Sequence, residues 1–120
     1  MPNKIDKIIK KFILEVSNLI GGRLKKVILY GSYARGDYDK NSDIDIMILT
    51  DFNDEELAEY RVKIREIACD LELENDIVIS PVVRNIEKYN DRINIIPFYM
   101  NVQKEGVVLH GWKNDSKWIC

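Results

Sequence analysis

The amino-acid sequence predicts an α/β (α+β) fold in which a small mixed β-sheet is flanked by helices. Two short apolar segments, residues 24–30 and 43–50, have the pattern of strands and are separated by a polar, turn-forming loop. Apolar residues at helical spacing precede the first segment and follow the second. With 120 residues, the chain has the size of one domain. We therefore expect a single domain over residues 1–110 and a C-terminal tail over residues 111–120.

The first half of the chain is predicted to contain two helices around the two strands. The first helix has an apolar stripe with lysines on its other side, and the pair Gly21-Gly22 ends it. The loop 31–42 has room for a short helical turn. A second long helix begins after Asn53, which can cap it while Glu56 reaches back from the third position. This helix is long enough to cross from one strand to the next.

A third strand is expected over residues 76–80. Pro81 is expected to bend or end this strand, with residues 82–83 continuing it at a sheet edge. The strand-helix-strand unit makes the second and third strands parallel, whereas the first two strands, joined by one loop, are most simply antiparallel. The rest of the chain is predicted to form a loop or short irregular helix over 84–92, a helix between Pro97 and Gly106, and a final strand over 107–109.

Two aspartates lie one residue apart at the start of the second strand. Alternate strand residues point to the same face, so Asp43 and Asp45 project together, about 6 to 7 Å apart along the backbone. The residues that follow are apolar on both faces, which is typical of a buried strand. Two ionised carboxylates there are costly unless a cation or hydrogen bonds compensate them. The pair therefore has the chemistry of a metal clamp.

Strand connectivity brings further residues to the same end of the sheet. An antiparallel first strand ends where the second begins, which places Gly31 and Ser32 beside Asp43 and Asp45. A parallel third strand begins at that end as well, which favours Asp76 over the acids of the preceding polar connection. We expect these five residues to converge.

This constellation resembles a known family. Gly31-Ser32, ten intervening residues and Asp43-x-Asp45 resemble the signature of the DNA polymerase β-like nucleotidyltransferase superfamily. The segment Ala34-Arg35-Gly36 resembles its minimal nucleotidyltransferase branch, as does Ser42. The C-terminal phrase PFYMNVQKEGVVLHG is also similar to that branch.

The resemblance implies a polymerase β-like fold and a magnesium-dependent transfer of a nucleotide from ATP. Asp43, Asp45 and Asp76 would be the catalytic residues and the ligands of two Mg²⁺ ions. Nucleotide-binding residues would be Gly31, which lets the backbone approach the triphosphate, and Ser32 and Arg35, which would contact phosphate oxygens. For Arg35, a salt bridge to Asp37 or Asp39 that shapes the loop is an equal alternative.

The resemblance also implies a partner. Minimal nucleotidyltransferases resemble the antitoxins of toxin-antitoxin systems, whose partner is a ribonuclease toxin with a HEPN domain, and the family transfers AMP from ATP to a tyrosine of that toxin. Two alternatives remain open. The chain could be the catalytic subunit of a small-molecule, antibiotic-type nucleotidyltransferase, or an antitoxin that blocks its toxin by binding alone.

Composition excludes several other classes of function. Eighteen basic and twenty acidic residues give a net charge of −2, which disfavours general nucleic-acid binding. No stretch approaches the ~20 apolar residues of a membrane span, and the N-terminus lacks the pattern of a signal peptide. We expect a cytoplasmic protein with no membrane contact. Cys69 and Cys120 suggest neither a zinc site nor a disulfide framework, and Trp112 and Trp118 lie in the polar tail.

Overall fold

The computed structural model describes residues 3–110. The tail, with its two tryptophans and Cys120, lies outside the described residues. In chain order the elements are α1 (Asn3–Ile20), a 3₁₀ turn (Gly21–Arg23), β1 (Leu24–Tyr30), α2 (Ser32–Arg35), β2 (Ile44–Thr50), α3 (Asp54–Asn75), β3 (Ile79–Asn85), α4 (Ile86–Arg92), α5 (Pro97–Glu105) and β4 (Val107–His110). No helix within residues 3–110 has both the length and the apolar content to cross a membrane.

The four strands form one mixed sheet in the order β3-β2-β1-β4. β1 pairs with β2 and with β4 in antiparallel fashion, whereas β2 and β3 are parallel. The predicted mixed sheet and both predicted strand directions are therefore confirmed. The end of β1 and the starts of β2 and β3 meet at one end of the sheet, where the strands begin or end. We call this end of the sheet the site edge.

β2 is buried on both faces, as its apolar sequence predicts. Ile44, Ile46 and Ile48 are fully buried in the larger core cluster, which includes residues of α1 and α3. Met47 and Leu49 belong to the second cluster, with residues of α4 and α5. Helices thus cover both sides of the sheet, and because Asp45 alternates with the isoleucines it points to the side of α4 and α5.

Several helix ends follow from local sequence. Asn53 and Glu56 form the predicted capping box, with the Asn53 side chain accepting from the Glu56 amide at 2.9 Å. Pro97 begins α5, and α5 stops before Gly106. A side chain at Gly106 would place its Cβ 2.4 Å from Ile28 Cγ2, so glycine lets this turn pack directly against β1.

The predicted third strand was wrong in its bounds. α3 continues to Asn75, and Asp76 is its C-cap in the left-handed conformation, with φ of 51°, so β3 begins only at Ile79. Pro81 does not end β3, because β3 is an edge strand and its outward positions need no amide donor. The strand therefore runs on to Asn85, which caps α4 by accepting from the Lys88 amide at 3.0 Å.

Candidate active site

The Asp43–Asp45 pair lies at the site edge. Asp45 is the second residue of β2, partly buried, and stands between Tyr30 of β1 and Ser80 of β3 in the strand register. Asp43 immediately precedes the strand and is exposed. Paired strand residues share a face, so Tyr30, Asp45 and Ser80 form a row across the sheet. Sequence analysis identified the two aspartates but missed Tyr30 and Ser80, whose positions depend on the exact register.

The two carboxylates have no hydrogen-bonded or ion-paired partner among the described residues. Burial, and then the negative charge of Asp43, raise the pKa of Asp45, which Arg35 opposes and Glu105 reinforces. Within residues 3–110, neither aspartate side chain accepts a hydrogen bond or forms an ion pair. Paired carboxylate oxygens with no protein partner are suitable ligands for a hard divalent cation.

Gly31 brings the loop against Asp45. Its φ of 77° lies in the region that favours glycine, and an added Cβ would lie 2.3 Å from Asp45 Oδ2. No other residue type could occupy this position without moving the carboxylate. The predicted convergence of Gly31 with Asp45 is therefore seen in the structure.

Arg35 forms two ion pairs. Its Nε donates to Asp37 Oδ2 at 3.1 Å, which is one of the loop-shaping contacts considered above, and its Nη1 donates to Glu105 Oε1 at 3.1 Å. The same Glu105 oxygen accepts the Gly31 amide at 3.2 Å. Sequence analysis missed Glu105. The available signal was topological, because an antiparallel β4 beside β1 starts where β1 ends, and Glu105 is the second residue before β4.

Polar and aromatic groups surround this centre. Ser32 opens α2, and its hydroxyl has no hydrogen-bond partner within the described chain. Burial, and then the charge of Asp45, raise the pKa of Tyr30 to about 12, so its phenol stays protonated at neutral pH. Tyr33 and Tyr38 stack on each other with ring centroids 4.7 Å apart.

Asp76 is not grouped with the other two aspartates. It is an exposed helix cap three residues before β3, and the residue of β3 level with Asp45 is Ser80. Among residues 3–110, no three His, Cys, Asp or Glu side chains are placed to hold one metal ion. The role of Asp76 as a third carboxylate stays a prediction.

Comparison with known proteins agrees with this geometry. The nucleotidyltransferase domain family matches residues 9–102. The chain is 40% identical over 105 residues to a Methanocaldococcus jannaschii protein named "Putative protein adenylyltransferase MJ0604", and the match covers 88% of this chain and 97% of that relative.

Solved structures share the fold. A crystal structure of a toxin-antitoxin with AMP-PNP aligns with a TM-score of 0.56 and 23% identity, covering 90% of this chain and 77% of that one. A Sulfolobus solfataricus protein described as a "putative nucleotidyltransferase" aligns with a TM-score of 0.54 and 25% identity, covering 88% of this chain and 79% of that one. The chain therefore belongs to the nucleotidyltransferase domain family and is a nucleotidyltransferase.

Proposed function

We propose that this nucleotidyltransferase transfers AMP from ATP to a hydroxyl group of a partner protein. The observation that carries the proposal is the Asp43–Asp45 pair, which has no hydrogen-bond or ion-pair partner among residues 3–110 and whose Asp45 lies against Gly31 at the site edge. The relative from M. jannaschii, matched over nearly its whole length, is named for protein adenylyl transfer, which supports a protein acceptor.

The aspartates fit magnesium as the metal. Mg²⁺ prefers hard oxygen ligands and keeps several waters, so two carboxylates suffice when phosphate oxygens complete the coordination. Two such ions would neutralise the charge that develops during transfer. Asp43 and Asp45 would hold them, and the Gly31 amide, the Ser32 hydroxyl and the Arg35 guanidinium would bind phosphate oxygens.

The reaction exchanges a phosphoanhydride bond of ATP for a phosphoester bond to the acceptor. The acceptor oxygen forms a bond to the α-phosphorus of ATP, the bond from that phosphorus to pyrophosphate breaks, and the hydroxyl loses its proton. We assign Asp76 as the group that helps remove this proton and completes the metal site. Asp76 is exposed at the end of α3, so its carboxylate would have to turn toward the pair.

We further propose that the acceptor is a tyrosine of a HEPN-domain ribonuclease toxin in the cytoplasm, and that this chain is the antitoxin. Structures named as toxin-antitoxin complexes share its fold. A tyrosine phenol has a pKa of about 10 and loses its proton more easily than a serine hydroxyl. A partner that closes the site edge would also bring its hydroxyl into line with the phosphorus.

Intact-mass spectrometry tests the proposal. The acceptor tested is the product of a neighbouring reading frame that encodes a HEPN-domain protein. It is incubated with ATP, magnesium and either the wild type, the Asp43→Asn/Asp45→Asn variant or the Asp70→Asn/Asp91→Asn variant. The last removes two exposed charges, one from α3 and one from α4, that are not among the residues assigned to the site, and it is the matched control. We expect AMP on a toxin tyrosine with the wild type and the control only. An unmodified toxin that all three proteins inhibit equally would leave an antitoxin that acts by binding alone.

A further inference from the structure

Glu105 accepts hydrogen bonds from two of the protein groups that we propose to bind the phosphates of the nucleotide. Its Oε1 accepts the Gly31 amide at 3.2 Å and Arg35 Nη1 at 3.1 Å. A carboxylate oxygen and a phosphate oxygen are both anionic acceptors, and both form charge-assisted hydrogen bonds with a guanidinium. The side chain of Glu105 therefore satisfies donors that a triphosphate would otherwise take.

The placement of Glu105 is electrostatically unfavourable without these donors. Its negative charge adds to that of Asp43 in raising the pKa of Asp45, so Glu105 and Asp45 repel each other. The position of Glu105 is also constrained, because the next residue, Gly106, packs closely against Ile28 of β1 and so fixes the end of α5 beside Gly31. The Glu105 side chain is only 27% exposed.

We propose that Glu105 is an internal competitor of the nucleotide's phosphates. In the free protein its carboxylate holds the Gly31 amide and the Arg35 guanidinium, and a bound triphosphate displaces it. The exchange is non-covalent, with one anionic oxygen replacing another on the same two donors. This inference rests on the proposed function, because it assumes that Gly31 and Arg35 bind phosphate.

Because Glu105 is the last residue of α5, its displacement by a nucleotide would change the contacts at the end of this helix. Glu105 precedes β4, which pairs with the end of β1 through Leu29 and Val107. Release of Glu105 frees the connection between α5 and β4 from the loop that carries Gly31.

Calorimetric titration of the full chain tests the competition. The titrants are magnesium tripolyphosphate, which has no base or sugar, and magnesium ATP. The proteins are the wild type, Glu105→Gln, Glu105→Ala and Asp37→Asn. Asp37 is the matched control, because it also binds Arg35 but does not contact the Gly31 amide, and its removal changes the net charge equally.

We expect both Glu105 variants to bind tripolyphosphate and ATP at least about fivefold more tightly than the wild type, since they lose a bound competing anion. Asp37→Asn should change affinity by less than about twofold, because a single exposed ion pair contributes little. The melting temperatures of the same proteins, with and without ligand, provide a second measurement. Without ligand the Glu105 variants should melt at or slightly below the wild-type temperature, and with ligand they should show the larger rise.

Three results would overturn the inference. Unchanged affinity in both Glu105 variants would show that Glu105 and the phosphates do not share a site. Equal tightening by Asp37→Asn would reduce the effect to net charge. A strongly lowered melting temperature without ligand, together with a ligand-induced rise no larger than that of the wild type, would indicate a structural role for Glu105. Tighter tripolyphosphate binding by the Glu105 variants, together with no AMP transfer to the toxin, would refute the proposed function alone.

Discussion

At the scale of single residues, two glycines of the same loop have different reasons for being glycine. Gly31 and Gly36 both have positive φ, of 77° and 89°. A Cβ at Gly31 would collide with Asp45, whereas a Cβ at Gly36 would meet nothing within 4 Å. Backbone conformation is thus the only constraint at Gly36, and Gly31 has an additional role in positioning the carboxylate.

Gly31→Ala should therefore abolish magnesium ATP binding, because its Cβ displaces Asp45. Gly36→Ala should lose only about 1 kcal/mol of folding stability from backbone strain and keep nucleotide binding. Thermal melting with and without magnesium ATP measures both effects. If the two variants bind magnesium ATP equally well, the contact between Gly31 and Asp45 has no part in the site.

The third carboxylate can also be tested residue by residue. Asp76→Asn should leave the melting temperature nearly unchanged, because asparagine tolerates the left-handed conformation of this helix cap. If Asp76 completes the metal site, the substitution should lower the rate of AMP transfer by about tenfold or more. Glu74→Gln, which alters a nearby exposed acid paired with Lys11, is the control. Equal rates in the two variants would remove Asp76 from the site.

At the scale of elements, Arg23 ties the turn before β1 to the start of α3. Its guanidinium donates to both oxygens of Glu56, at 3.0 and 3.1 Å, and also to Asp51. Hydrogen bonds from Arg23 lower the pKa values of Asp51 and Glu56. Glu56 also closes the capping box, so the arginine, the cap and the end of β2 form one polar connection.

This connection should make stability depend on pH. The carboxyl pKa values are lower in the folded state, so their stabilisation is fully present above the unfolded values, about 3.9 to 4.3, and is lost as pH falls from there through the lower folded-state values. Arg23→Gln should melt below the wild type at pH 7, and the difference should shrink as the pH is lowered from about 5. Lys63→Gln, which removes one exposed helix pair, should show little difference at any pH. Part of the difference should remain at low pH, because Arg23 also lies over the Phe52 ring at 4.7 Å from its centroid. A difference for Arg23→Gln that does not narrow at all as the pH falls would contradict the role of the ion pairs.

The edge strand β3 is protected by arginines of α3. Arg61 donates to the Val83 carbonyl at 2.9 and 3.2 Å, and Arg65 donates to the Ile79 carbonyl at 3.0 Å. Pro81 lies between them and has no amide to offer. The outward backbone groups of the strand are therefore blocked from pairing with another chain.

Removing this protection should promote association. Arg61→Leu/Arg65→Leu frees the Ile79 carbonyl, leaves Arg84 as the remaining side-chain donor to the Val83 carbonyl and adds apolar surface, so we expect larger species in size-exclusion chromatography at high protein concentration. Lys63→Leu adds the same kind of surface from the same helix without touching β3, and it should elute like the wild type. Identical elution of the double variant and the wild type would mean that Pro81 alone is sufficient protection.

At the scale of the whole molecule, sequence patterns predicted the elements that local chemistry controls. The capping box at Asn53, the helix start at Pro97 and the buried strand after Asp43 all depend on residues a few positions apart. The start of β3 was misplaced, because α3 runs one turn further than its apolar pattern suggests and Asp76 takes a left-handed cap.

Within the site, contacts that follow from strand direction could be predicted from the sequence, whereas contacts that depend on strand register could not. Gly31 and Asp45 could be brought together from strand direction alone, and the structure places them in contact. Glu105 and Ser80 could not, since their positions depend on the register of β4 and β3 against neighbours distant in sequence. Side-chain contacts between sequence-distant elements are set by packing, which no local pattern encodes.

If Asp43 and Asp45 form the site for metal and nucleotide, magnesium ATP should raise the melting temperature of the protein through these two aspartates, and this change is the most direct measurement. Wild-type protein should melt at least about 5 °C higher at ligand concentrations 100-fold above Kd. Asp45→Asn should show no rise, and without ligand it should melt at or above the wild-type temperature, because a repelling charge is removed at constant volume. An equal rise in both proteins, or an Asp45→Asn protein that is strongly destabilised without ligand, would show that the aspartate is structural and contradict the account.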